Sequence, residues 1–152
     1  LLDSHDVNRF MSYCKGDVRR FQLAVVFLFT SPGAPSVFYG DELGMDGNSE
    51  YLLRGPMPWD NPKSDEREFF RKLIKLRTKN DALTIGTFKE LLADEDGLYI
   101  YERSMGGRTI TIALNARDCE KTLDLIQPFG SVVMSERYED HRLGAFGYAI
   151  WM

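Results

Sequence analysis

Apolar and polar positions fall into two textures along the chain. In the first half, short apolar runs alternate with helical spacing. Leu1 and Leu2 run into a polar cluster, His5 and Asp6, followed by Arg9; this predicts the end of a buried strand that pushes polar groups to a rim. Residues 17–29 predict a helix, with Gly16 and Asp17 at its N-terminus, where an acid complements the helix dipole. Its second half, Leu23-Ala24-Val25-Val26-Phe27-Leu28-Phe29, is apolar on every face, which predicts cover on several sides. Pro32 and Gly33 end it. Residues 35–39 predict a short apolar strand that stops at Gly40-Asp41-Glu42-Leu43-Gly44. Strand, helix, strand is the order of a βαβ unit with parallel strands and a right-handed crossover. In such sheets and barrels the chemistry sits at the carboxyl ends of the strands.

Residues 45–63 read as a long loop, ordered by the run Arg54-Gly55-Pro56-Met57-Pro58-Trp59-Asp60. Residues 64–79 predict an amphipathic helix. Ser64 is its N-cap, Asp65 and Glu66 lie in the first turn, and Lys75, Arg77 and Lys79 in the last turns. Phe69, Phe70, Leu73, Ile74 and Arg77 share one face.

From residue 84 the texture becomes strand-like. Pieces at 87–93, 98–103, 108–115, 121–125, 131–135 and 148–152 are separated by turn residues at 94–97, 105–107 and 128–130. Residues 109–114 alternate cleanly. The reading is a small antiparallel β module, a sandwich or an open barrel. The domains expected are 1–83 and 84–152, and the fold class is α/β followed by all-β.

Composition narrows the function classes. A net charge of −4, with scattered lysines and arginines, argues against nucleic acid or an anionic membrane as partner. No apolar run reaches the roughly 18 to 20 residues of a membrane span. The two cysteines and two histidines fall at no ligand-like interval. Two free thiols are expected, and with them a cytoplasmic location. There is no basic n-region to suggest a signal peptide. A start inside an apolar strand implies that sequence upstream is missing.

Four motifs stand in order: Leu2-Asp3-Ser4-His5-Asp6 with Arg9; Gly33 to Gly44, containing Tyr39-Gly40-Asp41-Glu42; Arg54 to Asp60; and the terminal β module. Together they resemble the C-terminal part of the alpha-amylase superfamily of glycoside hydrolases. The Ser-His-Asp form looks most like the neopullulanase, cyclomaltodextrinase and maltogenic amylase group. The resemblance implies the C-terminal remnant of a (β/α)8 TIM barrel, its last two strand-helix units, followed by an antiparallel β-sandwich domain. It implies retaining hydrolysis of alpha-glucosidic bonds, in which a nucleophilic carboxylate and an acid lie about 5 to 5.5 Å apart. Asp6 would be a third carboxylate, the transition-state stabiliser. His5 would hydrogen-bond hydroxyls of the same sugar, and Arg54 would lie by the sugar cleft. The nucleophile and the general acid belong to the family's fourth and fifth strands, outside this sequence, so the chain alone is expected to be inactive.

No cofactor is implied. Some family members bind calcium in upstream parts, and no calcium ligand cluster is visible here. The partners implied are an alpha-glucan oligosaccharide or polysaccharide and the missing N-terminal part of the barrel. A second copy, in a homo-oligomer, would serve in its place.

Several residues keep two readings. Arg9 orients a carboxylate or caps a helix; Asp41 and Glu42 contact substrate or serve the loop as ion pairs. Trp59 is a sugar-stacking platform or an anchoring core residue. Tyr51 stands where the family often has proline after an acid, here Glu50, so this loop departs from the pattern. Trp151, Tyr148, Phe69 and Phe70 read as core. The rival to an enzyme is a carbohydrate-binding or dimerisation module without catalysis.

Overall fold

A computed structural model describes residues 1–60, 65–123 and 130–152, with Glu50 and Tyr51 described by their backbone only. The predicted N-cap Ser64, the end of the 121–125 strand and the turn residues Pro128 and Phe129 lie outside the described residues, as does the end of the 45–63 loop. The chain divides into two compact units. One comprises Leu1–Phe29 and Ala34–Leu76, the other Thr30–Gly33 and Arg77–Met152.

The first unit is built on helices α1 (Phe10–Tyr13), α2 (Val18–Thr30), α3 (Glu50–Leu53) and α4 (Asp65–Thr78), with a 3-10 turn at Asp41–Leu43. Asp17 starts α2: its Oδ1 accepts the Arg19 amide at 3.0 Å, the bond an N-cap makes. The Arg19 guanidinium hydrogen-bonded to it draws the Asp17 carboxyl down to about 2. Phe21, Val25, Val26 and Phe29 of α2 are buried, as are Phe69, Phe70 and Leu73 of α4. The Phe70 ring meets Phe29 edge-on at 5.8 Å and Phe21 at 6.2 Å, so the apolar faces interlock through aromatic rings. α2 is not covered all round, however, since Phe27 is 42% exposed.

Two expected strands are absent. Residues 1–2 and 35–39 belong to no ladder, and the nearest feature is an isolated antiparallel bridge between Ser4 and Val7. A strand exists only through cross-strand hydrogen bonds, and among the described residues neither segment finds a neighbouring strand. Apolar patterning marked these segments for burial, but it cannot supply the partner.

The second unit, which takes in Thr30–Gly33 and the end of α4 from Arg77, passes through α5 (Asp81–Thr84). It continues as one antiparallel sheet of β1 (Thr87–Ala93), β2 (Leu98–Met105), β3 (Arg108–Asn115), β4 (Lys121–Thr122), β5 (Val132–Glu139) and β6 (Arg142–Trp151). β6 is the spine. β5 runs along one side, while β3 and β4 share the other, β3 opposite 148–151 and β4 opposite 142–143. Two-residue loops with positive φ close two hairpins: Gly106-Gly107 between β2 and β3, and Asp140-His141 between β5 and β6. The second hairpin was not predicted. It extends the 131–135 and 148–152 pieces into one long ribbon.

The clean alternation expected for 109–114 is not matched by burial: Ile110 through Asn115 are buried without interruption. Both faces of β3 are covered, as in buried sheets generally. On one face Ile100, Ala113, Ala149 and Trp151 pack with Leu98, Leu123 and Leu143. On the other, Tyr101, Ile112 and Ile150 line up across the strands. The buried Arg103 donates to the carbonyls of Thr30 (2.7 Å), Gly86 (3.0 Å) and Thr87 (3.1 Å). Arg77 donates to the carbonyls of Ser31 and Gly33. Arg103 thus satisfies the Thr30 carbonyl, which the end of α2 leaves without a helical partner, and Arg77 satisfies carbonyls of the turn that follows. Trp151 and Tyr148 are core residues, 5% and 2% exposed. No helix among the described residues is long and apolar enough to cross a membrane.

Candidate functional site

Residues 4–7 form a tight turn. The Ser4–Val7 bridge closes it, and the Ser4 hydroxyl accepts the Asp6 amide at 3.2 Å. This is a local side-chain closure that serine is suited to make. The two residues at its tip, His5 and Asp6, project into solvent with side chains 61% and 69% exposed. His5 Nε2 lies 3.3 Å from Asp6 Oδ2. Arg54, which follows α3, brings its Nη2 to 3.7 Å from Asp6 Oδ1. The three side chains singled out from the sequence therefore meet around one exposed carboxylate. A carboxylate flanked by an imidazole and a guanidinium offers both acceptors and donors to a polyhydroxylated ligand.

Beneath the tip the polarity inverts into a buried trio: Arg9, Asp3 and Asp41, exposed by 0%, 2% and 3%. Arg9 Nη1 donates to Tyr39 O at 2.6 Å and reaches Asp41 Oδ1 at 3.4 Å; Nη2 reaches Leu53 O at 3.4 Å. Its guanidinium also lies 4.2 Å from the Phe38 ring centroid and 4.7 Å from that of Tyr39, a cation–π arrangement. Asp3 Oδ2 accepts the Phe10 amide at 2.8 Å and so caps α1 from seven residues upstream. Asp41 Oδ2 accepts the Phe38 amide at 3.1 Å. Burial and the charge of Asp3 push Asp41 up to about 7 from its ordinary 3.8. Of its two readings, Arg9 thus meets a carboxyl group, that of Asp41, and its side chain does not cap α1, the helix that follows it; Asp41 is buried within the loop against Arg9.

Asp3 and the backbone carbonyls of Tyr39 and Leu53 had no assigned part in the sequence reading. An acid two residues before a His-Asp pair, at the end of an apolar run, was the only available signal. Trp59 is not a core anchor: it is 79% exposed. Phe69 and Phe70 are core, at 8% and 3%. No group of three or more metal-capable side chains occurs among the described residues.

The catalytic-domain family "Alpha amylase, catalytic domain" matches residues 1–82. Neopullulanase 2 of Thermoactinomyces vulgaris is 37% identical over 131 residues, covering 84% of this chain and 22% of that protein. A cyclomaltodextrinase of a Bacillus species is 40% identical over 126 residues, covering 81% of this chain and 23% of the relative. Among solved structures, the acarbose-soaked debranching enzyme of Nostoc punctiforme aligns with a TM-score of 0.83 at 30% identity, covering 98% of this chain and 32% of that one. The chain thus spans less than a quarter of the length of the curated relatives cited.

Proposed function

The chain belongs to the alpha-amylase family, its residues 1–82 lying within that family's TIM-barrel catalytic domain, and on that premise we propose that the His5–Asp6–Arg54 cluster is part of the sugar site of a retaining alpha-glucan hydrolase. The observation that carries this reading is the meeting of His5 and Arg54 around the exposed Asp6 carboxylate. In it Asp6 stabilises the positive charge that grows at the anomeric carbon in the transition state, while His5 and Arg54 hold sugar hydroxyls. None of the three is the attacking carboxylate or the proton donor. Those two groups come from residues beyond these 152, so the chain binds but does not cleave.

In the same reading residues 1–83 are the barrel part and 84–152 an appended β domain. The remainder of the barrel, or a second copy, covers the exposed Leu1, Phe27 and Val37. The location is cytoplasmic, a reading supported by two free cysteines, one of them exposed.

Titration of a maltooligosaccharide into the 15N-labelled chain tests the site. The amide signals of His5, Asp6 and Arg54 are expected to shift, and the shifts to vanish in Asp6→Ala. Shifts confined to residues 84–152 would instead support a binding module in the β part. A chromogenic maltoside cleaved by the chain at a rate abolished by Asp6→Asn would overturn the assignment of roles.

A further inference from the structure

We propose that Asp3 and Asp41 hold a single proton between them beside the Arg9 guanidinium, and that this buried trio sets the spacing between the His5–Asp6 tip and Arg54. The argument begins with a missing donor. Asp3 Oδ1 is buried and has no hydrogen-bond partner among the described residues. A buried carboxylate oxygen without a donor is costly. The neighbouring group is another carboxyl: Asp41 lies within hydrogen-bonding reach of Asp3. Two ionised carboxylates only repel each other, whereas one proton on Asp41 turns the contact into an O–H···O bond and fills the vacant acceptor.

The surrounding charges agree with this count. Among the described residues, the charged groups facing Asp41 are Asp3 and Arg9, both from the 1–9 segment. Its own segment contributes the Phe38 amide, while the Glu42 carboxylate accepts the Gly40 amide at 2.9 Å. One cation against two acids leaves one negative charge too many for a buried site. Neutralising one acid removes it. The Asp41 carboxyl, raised to about 7, accords with a proton retained near neutrality.

The consequence for the tip follows from connectivity. Asp3 and Arg9 bracket the turn that carries His5 and Asp6. The Arg9 amide donates to Gly47 O at 2.9 Å, and its side chain reaches Leu53 O, one residue before Arg54. The trio therefore joins the segment bearing Asp6 to the segment bearing Arg54. Arg9, Asp3 and Asp41 are positioning residues: they act on a sugar only through the tip. That role rests on the site reading above, but the sharing of the proton does not.

Because the folded-state value of Asp41 lies above its ordinary 3.8, the folded chain binds the extra proton up to about pH 7. The pair's stabilising contribution is complete below the ordinary value and is lost as pH rises through the folded one. Carboxyl-carbon NMR titration of the labelled 152-residue chain, in a His5→Gln background that silences the ring, tests the proposal. The pair is expected to show one protonation step near pH 7, absent in Asp41→Asn, whose neutral amide still donates to Asp3. The amide signals of Asp6 and Arg54 should follow that step and lose it in the variant. From pH 5 to 7 the unfolding constant should rise by up to about tenfold per pH unit relative to Asp41→Asn.

If Asp41→Asn does not fold, Asp3→Asn is read in its place, and the parent titration decides the shared proton by itself. Both carboxyls titrating below pH 5 would overturn the shared proton. A step near 7 that leaves Asp6 and Arg54 unmoved would overturn the positioning role. No sugar is present in this titration, so its outcome is separate from that of the oligosaccharide experiment.

Discussion

Replacing Arg103 by methionine removes a buried cation while keeping the length of its stem. The side chain is 1% exposed and makes three hydrogen bonds to the carbonyls of Thr30, Gly86 and Thr87, all between 2.7 and 3.1 Å. Each bond from a charged donor is worth about 1.5 kcal/mol or more, so the three together stabilise by about 4.5 kcal/mol. Against this stands the cost of burying the guanidinium. Desolvation, and secondarily the nearby Arg77, already disfavour its charged form. Removing the charge returns about 1–2 kcal/mol, the lower part of the roughly 1–4 kcal/mol gained when buried ion pairs are replaced by apolar side chains. A net loss of about 3 kcal/mol follows, a large share of the 5–15 kcal/mol typical of a domain. Urea unfolding followed by Trp151 fluorescence, in a Trp59→Phe background, measures it as a fall in midpoint at constant slope. A loss below about 1 kcal/mol would show that the carbonyls find water or other donors, and the reasoning would fail. Arg103→Lys should fall between the two, because one ammonium cannot span a fork of three acceptors.

Other outcomes follow from the same packing. Tyr101→Phe removes the 2.5 Å bond to the Thr30 hydroxyl and should cost about 1 kcal/mol in the same unfolding assay. Gly86→Ala places a methyl inside van der Waals contact of the Ala82 and Ser104 carbonyls, and should destabilise by about 1–3 kcal/mol. Burial pushes the Cys14 thiol up to about 11, so it stays protonated at pH 8. A disulfide reagent should therefore label one thiol per native chain, the exposed Cys119, and two after denaturation. Acrylamide should quench the fluorescence of Trp59, 79% exposed, and spare Trp151, 5% exposed.

Local patterning made much of this molecule legible. The amphipathic spacing of Phe69, Phe70 and Leu73 marked α4, Asp17 marked the start of α2, and Gly106-Gly107 marked a hairpin. These signals depend on neighbours in the chain, so they survive without knowledge of the fold. The Asp140-His141 hairpin escaped because neither residue is glycine. Their left-handed backbone is tolerated there only because the pairing of β5 and β6 holds it.

The residues of the candidate site were legible in the same way: His5, Asp6 and Arg54 stand in short motifs whose chemistry is carried by residue type. Their meeting was not. Arg54 lies 48 positions from Asp6, and the 3.7 Å between their side chains is a property of how the intervening segments pack. The two missing strands teach the converse lesson, since an apolar run states a demand for burial and cannot name what will bury it. Sequence alone determined helix spacing, turn chemistry and the supply of reactive groups, because each is written in neighbouring residues. Only the tertiary structure decided that Asp3, Arg9 and Asp41 are buried together. Burial and charge pairing depend on atoms that are distant along the chain and close in space.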